Sequence, residues 1–279
     1  MEFRRSLFLA SFLSVVTAFL FAPVRADDRP EVRIVRNPQV DQAEGIYVGN
    51  RPPLLPGLFV KLPAGSIAPH GWLRRQLELE AQGMAGRLGE VSDFLKWEGN
   101  GWIDPKGANG WEEVSYWLKG FGDLGYVLRD EKIIGQSRRW IEGILAAQQP
   151  DGWFGPNGLR TALDGKPDMW PHMPILNALQ SYHEFTGDKR VIAFMLRYAR
   201  WQNSLPPDRF GAGYWPRMRF GDNLETVYWL YNRTGEPWLL DLARKIHNNM
   251  ADWTTGLHDW HNVNVSQCFR EPAEYWLQD

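Results

Sequence analysis

The stretch Gly122–Leu145, GDLGYVLRDEKIIGQSRRWIEGIL, decides the fold. Apolar residues recur in it at three- and four-residue steps on both sides of a polar joint at Asp130-Glu131. That period belongs to an amphipathic helix, and the joint is long enough only to reverse the chain. The arrangement returns in Ala178–Gln202, ALQSYHEFTGDKRVIAFMLRYARWQ, about Gly187-Asp188, and in Asn223–His247, NLETVYWLYNRTGEPWLLDLARKIH, about Gly235-Glu236. Three helical hairpins in one chain predict an all-α stack, either a solenoid or a closed ring.

The hairpins are separated by long segments rich in Gly, Trp and Pro: SDFLKWEGNGWIDPKGANGW from Ser92, QPDGWFGPNG and DGKPDMWPHM on either side of Arg160, and LPPDRFGAGYWPRMRFGD from Leu205. Alternation of short joints with long loops puts the joints on one face and the loops on the other, and function is expected among the loops. A first helix begins at Trp72 and is stopped by Gly83, Gly86 and Gly89. Further helices run from about Glu112 to Leu128 and on to Gln149, from near Pro171 to Asn203, and from Asn223 to Trp253, and LHDWHNVNVSQ opens a last one. This makes about eight helices, whereas six helical pairs need about twelve. PAEYWLQD also ends within an amphipathic pattern, so the expectation is an incomplete (α/α)6 toroid at 70–279, the front portion of a longer protein.

Ahead of it, residues 1–26 have the order of a secretory signal: Arg4-Arg5, an apolar stretch from Leu7 to Ala22, then Val24-Arg25-Ala26. The apolar core is too short and interrupted for a comfortable membrane span, so a secreted or periplasmic chain without a membrane anchor after cleavage is expected. Residues 27–69 are proline-rich and aperiodic and read as an extended arm on the domain.

One cysteine, Cys268, excludes an internal disulfide framework, and a net charge of −2 without a basic run leaves no electrostatic footprint for nucleic acid. With 15 Trp, 14 Phe and 9 Tyr, the chain is rich in flat aromatic side chains, several in loops without helix core to absorb them. Such faces suit the C–H faces of sugar rings, although many of these residues simply wedge helices together. The expected partner is a carbohydrate; oligomeric state is not legible.

Polar residues gather at the expected helix starts. His261 and Asn264 share one face of the last helix, at the end fed by a long loop, with Gln267 or Cys268 less closely aligned. His172 follows Pro171, which fixes the first turn of its helix. Asp222, with Asn223, and Glu225 stand where a capping box would, and Glu112-Glu113 follow Trp111 where a helix dipole favours acids. Each position also has a plain structural reading as a cap or backbone partner. His258 and His261 have no third metal ligand at useful spacing, and Cys268 has no CxxC partner. The sequons at Asn232 and Asn264 fall in expected helices and are read as chance.

At EEVSYWLKGFGDLGYVLRDEKII, WPHMPILNALQSYHEFTGDKRVI, GDNLETVYWLYNRTGEPWLLDLA and above all HNVNVSQCFREPAEYW, the chain resembles the glycoside hydrolase family 127 group, the β-L-arabinofuranosidase-like proteins. The resemblance runs from about Gly57 to Asp279. It implies an (α/α)6 toroid followed by β-sandwich domains, and hydrolysis of a terminal sugar with retention of configuration. In characterised relatives a zinc-bound cysteine is the nucleophile and a glutamate the acid/base. Their motifs are expected beyond residue 279, and Cys268 does not match them. No catalytic residue and no metal ligand therefore carries over; zinc belongs to the full-length protein, and no cofactor is expected within these residues. What carries over is sugar contact by His172 and His261, with Asn264, Asp222, Asn223, Glu113 and Trp111 placed beside them by position. These residues alone are expected to be inactive. Two other readings stay open: a non-catalytic helical-repeat module binding glycan or protein, and a toroidal polysaccharide lyase, for which Arg217 and Arg219 are the hint.

Overall fold

A computed structural model describes residues 47–279. The signal-peptide assignment at 1–26 and the first part of the arm lie outside the described residues. The fold is all-α, with ten α-helices among the described residues: α1 (Gly71–Gln82), α2 (Met84–Val91), α3 (Glu112–Leu128), α4 (Glu131–Ala146), α5 (His172–Thr186), α6 (Arg190–Ser204), α7 (Tyr214–Thr234), α8 (Trp238–Asn249), α9 (Asn262–Cys268) and α10 (Glu271–Tyr275).

The three joints fold as the sequence predicts. Between α3 and α4, Arg129 takes the left-handed conformation (φ 58°) and Asp130 caps α4, accepting from Ile133 N at 3.0 Å. Gly187 and Gly235 close α5 and α7 at φ 73° and 71°, where a side chain would be strained. The reversed partners bury their apolar stripes against each other. Leu118 and Tyr126 of α3 and Ile134, Ile141 and Ile144 of α4 are buried in one continuous core, each large apolar side chain contributing about 1.5–3 kcal/mol by leaving water.

Contacts among the helices define two rows. Helices α1, α3, α5, α7 and α9 pack in succession, and α4, α6 and α8 back them. Four hairpins and the short pair α9 and α10 thus form an incomplete (α/α)6 toroid. Residues 47–69 contain neither helix nor strand and lie along α7 and the C-terminal turn. Arg51 N donates to Asn232 Oδ1 at 2.9 Å, Tyr231 Oη to Pro52 O at 2.5 Å, and Leu55 N to Leu277 O at 2.7 Å.

Three local expectations are corrected. Gly83 stops the first helix as expected, standing as the C-cap of α1, but Gly86 and Gly89 do not end helical structure, because α2 runs through both; Gly86 meets the Ala81 carbonyl so closely that a Cβ would not fit. The segment from Leu205 is not loop throughout, since α7 begins at Tyr214. Pro216 falls in its first turn, where the missing N–H has no helical acceptor to lose, and Gly213 (φ 84°) supplies the entry. Asp222 and Glu225 are consequently mid-helix residues and form no capping box. Finally, the last helical stretch is two short helices, with Pro272 opening the second.

The loop tryptophans are mostly core. Trp102, Trp153 and Trp170 are fully buried, their indole N–H groups donating to Trp111 O, Gly155 O and Glu112 Oε2 respectively. The loops fold inward and plug the ends of the helices they connect, and each of these three rings satisfies its one donor.

Candidate functional site

On the long-loop face, the first turns of α3, α7 and α9 converge on one recess. Its lining comprises Trp111, Glu112 and Tyr116 from α3 and its cap, Trp215 and Arg219 from α7, and His261 and Val263 from α9. Helix starts present unpaired backbone N–H groups and a positive dipole end, so the walls bring polarity of their own.

Arg219 forms the floor. Its guanidinium lies 4.0 Å from the Trp170 ring centre and 4.5 Å from that of Trp215, a cation held between two indoles. Nε donates to Asn264 Oδ1 at 2.7 Å, and one terminal nitrogen reaches Glu112 Oε2 at 3.5 Å. Glu112 Oε2 also accepts from Trp170 Nε1 at 2.7 Å. Trp170 is positioned in turn by Asp168, which takes Trp170 N on Oδ1 (3.1 Å) and Trp111 Nε1 on Oδ2 (3.0 Å). Burial pushes the Asp168 carboxyl above its ordinary value, an effect those two bonds oppose.

A second set of bonds fixes the α9 side. Asp259 accepts from His261 N at 2.7 Å, from Asn264 Nδ2 at 2.8 Å and from Tyr214 Oη at 2.5 Å. Desolvation is the largest single effect and raises its carboxyl, but the bonds from Tyr214, Asn264 and His261 together outweigh it and hold the carboxyl below its ordinary value. The His261 ring meets Trp215 edge-to-face, 5.3 Å between centres, and is exposed at the rim. Tyr116 faces it from α3; burial pushes its hydroxyl up to about 12, so it stays protonated at neutral pH.

The expected site residues divide. Trp111 and His261 line the recess, and Asn264 stands behind it as the fully buried acceptor that aims Arg219. Glu113 does not line it, because the residue one step earlier, Glu112, faces inward. Asp222 is buried one turn along α7 from Arg219, bound by Gln267 Nε2 at 2.9 Å and Arg270 at 3.1 Å. Asn223 exchanges amide bonds with Gln202 in the core.

His172 departs most from its reading as a sugar contact. It is fully buried, stacked on Tyr198 at 5.1 Å and edged by Trp102, Trp153 and Phe154. Its Nε2 donates to Phe154 O at 2.7 Å, since a carbonyl only accepts, and desolvation pushes its pKa down to about 3. In this structure it is a neutral core side chain beyond the reach of a ligand.

Sequence reasoning singled out Arg219 only as a hint for another chemistry and missed Tyr116, Trp170, Trp215 and Asp168. The helical start at Tyr214 was the available signal: with it, Trp215 and Arg219 fall at i and i+4 on one face.

The residues present do not fit the zinc–thiolate centre that the resemblance implies. Cys268 is fully buried in the α7–α9 contact, accepts from Gly221 N at 3.3 Å, and burial pushes its thiol up to about 12. Among the described residues, no three His, Cys, Asp or Glu side chains are grouped to hold a metal ion, and no helix is long and apolar enough to cross a membrane.

Residues 83–279, well over half of the chain, match the family model described as Beta-L-arabinofuranosidase, GH127 catalytic domain. No curated protein matches the chain.

Proposed function

Since the chain belongs to the GH127 β-L-arabinofuranosidase catalytic-domain family, we propose that the recess over Arg219 binds a terminal L-arabinofuranosyl or similar neutral sugar of a plant glycan. We propose further that the protein does so after export directed by residues 1–26. The observation that carries the reading is the Trp170–Arg219–Trp215 stack with Glu112 and His261 at its edges. Indole and phenol surfaces suit a sugar's C–H face, while the guanidinium, the Glu112 carboxylate and the His261 edge offer donors and acceptors to its hydroxyls. Arg219 is already answered by Glu112, which favours a neutral ring over a uronate and so favours a glycosidase reading over a lyase.

These residues supply recognition and no thiolate nucleophile, because Cys268 is buried and held protonated. The 279 residues therefore bind the sugar and turn it over slowly or not at all. Calorimetric titration with methyl β-L-arabinofuranoside, alongside an assay on an aryl arabinofuranoside, tests both halves. Saturable binding lost in Trp215→Ala is expected, without turnover. Turnover that survives Cys268→Ala and is abolished by His261→Ala overturns the second half.

A further inference from the structure

A second recess opens on another side of α3. It lies between α2, the turn at 93–98, α3 and α4, and three tryptophans line it: Trp97, Trp117 and Trp140. Tyr116 faces the Arg219 recess, and Trp117, the next residue, is rotated by about 100° around the helix to face this one. The two recesses share no lining residue.

The tryptophans are held rigidly. Trp97 and Trp140 meet edge-to-face at 5.1 Å, Trp117 and Trp140 at 5.7 Å, and Trp117 stacks on Phe121 at 4.7 Å. Arg139 lies over the Trp97 ring at 4.2 Å. The wall opposite carries Gly86 and Gly89, which put no side chain into the space; a Cβ on Gly89 would stand 3.5 Å from the Trp117 ring, in ordinary contact. Trp117 Nε1 is buried and, among the described residues, finds no acceptor. A pure packing contact would fill the gap.

The rim is polar and electrically balanced. Its lining includes Glu90 and Glu98 and, equal in number, Lys96 and Arg139, with Gln136 beside them; Lys96 pairs with Asp93, and Glu90 with Arg87 and Lys132. A balanced rim gives no net attraction to an anion or a cation. Rigid indole surfaces ringed by polar side chains of both signs match a ligand that alternates C–H faces with hydroxyls. We propose that this recess is a second carbohydrate site, holding a neutral sugar of the same glycan away from the Arg219 recess. It rests on the reading of the chain as a glycan-binding member of its family, and linking two weak sites on one polymer raises apparent affinity through effective concentration.

The test is calorimetric titration of the 279-residue chain with soluble arabinan, with variants at each recess. Arg139→Ala with Gln136→Ala alters exposed rim residues only, and Gly89→Leu fills the space; circular dichroism confirms that each folds. The expected result is arabinan affinity reduced at least about fivefold by either change, with methyl β-L-arabinofuranoside binding at the Arg219 recess unchanged. Trp215→Ala should do the reverse, abolishing monosaccharide binding and leaving residual arabinan binding. Arabinan affinity indifferent to Arg139→Ala/Gln136→Ala and to Gly89→Leu, yet lost in Trp215→Ala, overturns the second site and leaves the first. Binding lost in the rim variants but indifferent to Trp215→Ala overturns the Arg219 reading instead. No arabinan binding by the folded wild type overturns the second site, while the Arg219 reading falls only if methyl β-L-arabinofuranoside also fails to bind.

Discussion

His172 shows burial deciding protonation. The unfolded imidazole takes up a proton near pH 6.5, while desolvation among aromatic rings depresses its folded value to about 3. A depressed pKa means that the stabilising contribution is complete above 6.5 and is lost as pH falls from there toward 3. At pH 5 the loss is about 2 kcal/mol. Urea unfolding at pH 7 and pH 5 should show that difference, and His172→Phe should remove it; equal slopes for the two proteins would show that other groups dominate. Arg219 makes the complementary case, in which charge is retained because two indoles, Asn264 and Glu112 surround it. Lysine keeps the charge but loses the planar stack and the Nε bond, so Arg219→Lys should weaken sugar binding by about tenfold, measured by calorimetry. Neither environment is visible locally. Trp170 and Trp153 are distant in sequence from the side chains they enclose, and a histidine after Pro171 looks alike at a mouth or in a core.

At the scale of the helices, the joints carry the fold and the close approaches lock it. A Cβ on Gly125 would stand 2.8 Å from Ile133 Cγ2 and 3.2 Å from Ile134 N, across the α3–α4 contact. Gly125→Ala should therefore cost about 1–3 kcal/mol, read as a lower urea midpoint, and a neutral result would mean that the hairpin opens more easily than its packing suggests. Asp130→Ala removes the cap bond to Ile133 N and should cost about 1 kcal/mol by the same measurement. These joints were legible because their signals are local: Asp130 before a helical period, and glycine where φ is positive at 187 and 235. The start of α7 was not, because Pro216 and the flanking glycines read as loop. A proline in a first turn loses no helical bond, and only the packing of Phe220 and Leu224 into the core shows that the helix has begun. With that start misplaced, Trp215 and Arg219 stayed in a loop and the floor of the site went unread. Trp111 and His261, which line the recess, were legible as mouth residues because both stand at helix starts the sequence marks clearly.

Over the molecule as a whole, the inner helices place their starts on one face, and loops plugged with buried Trp102, Trp153 and Trp170 hold those starts in register. The first and last members of the row carry uncovered apolar side chains: Trp72, Met84 and Val91 on α1 and α2, Phe269 and Trp276 beside α9 and α10. Surfaces of that kind favour contact with one another over water. Sedimentation velocity should show concentration-dependent association that Trp72→Ser with Trp276→Ser reduces; a strictly monomeric chain at high micromolar concentration would contradict it. The central claim is that a neutral sugar sits over the Trp170–Arg219–Trp215 stack. Its most direct test is the dissociation constant of methyl β-L-arabinofuranoside for the wild type and for Trp215→Ala, both shown to be folded. Saturable wild-type binding that weakens at least about tenfold in the variant is predicted; equal affinity in the two proteins, or no binding by the wild type, would contradict it.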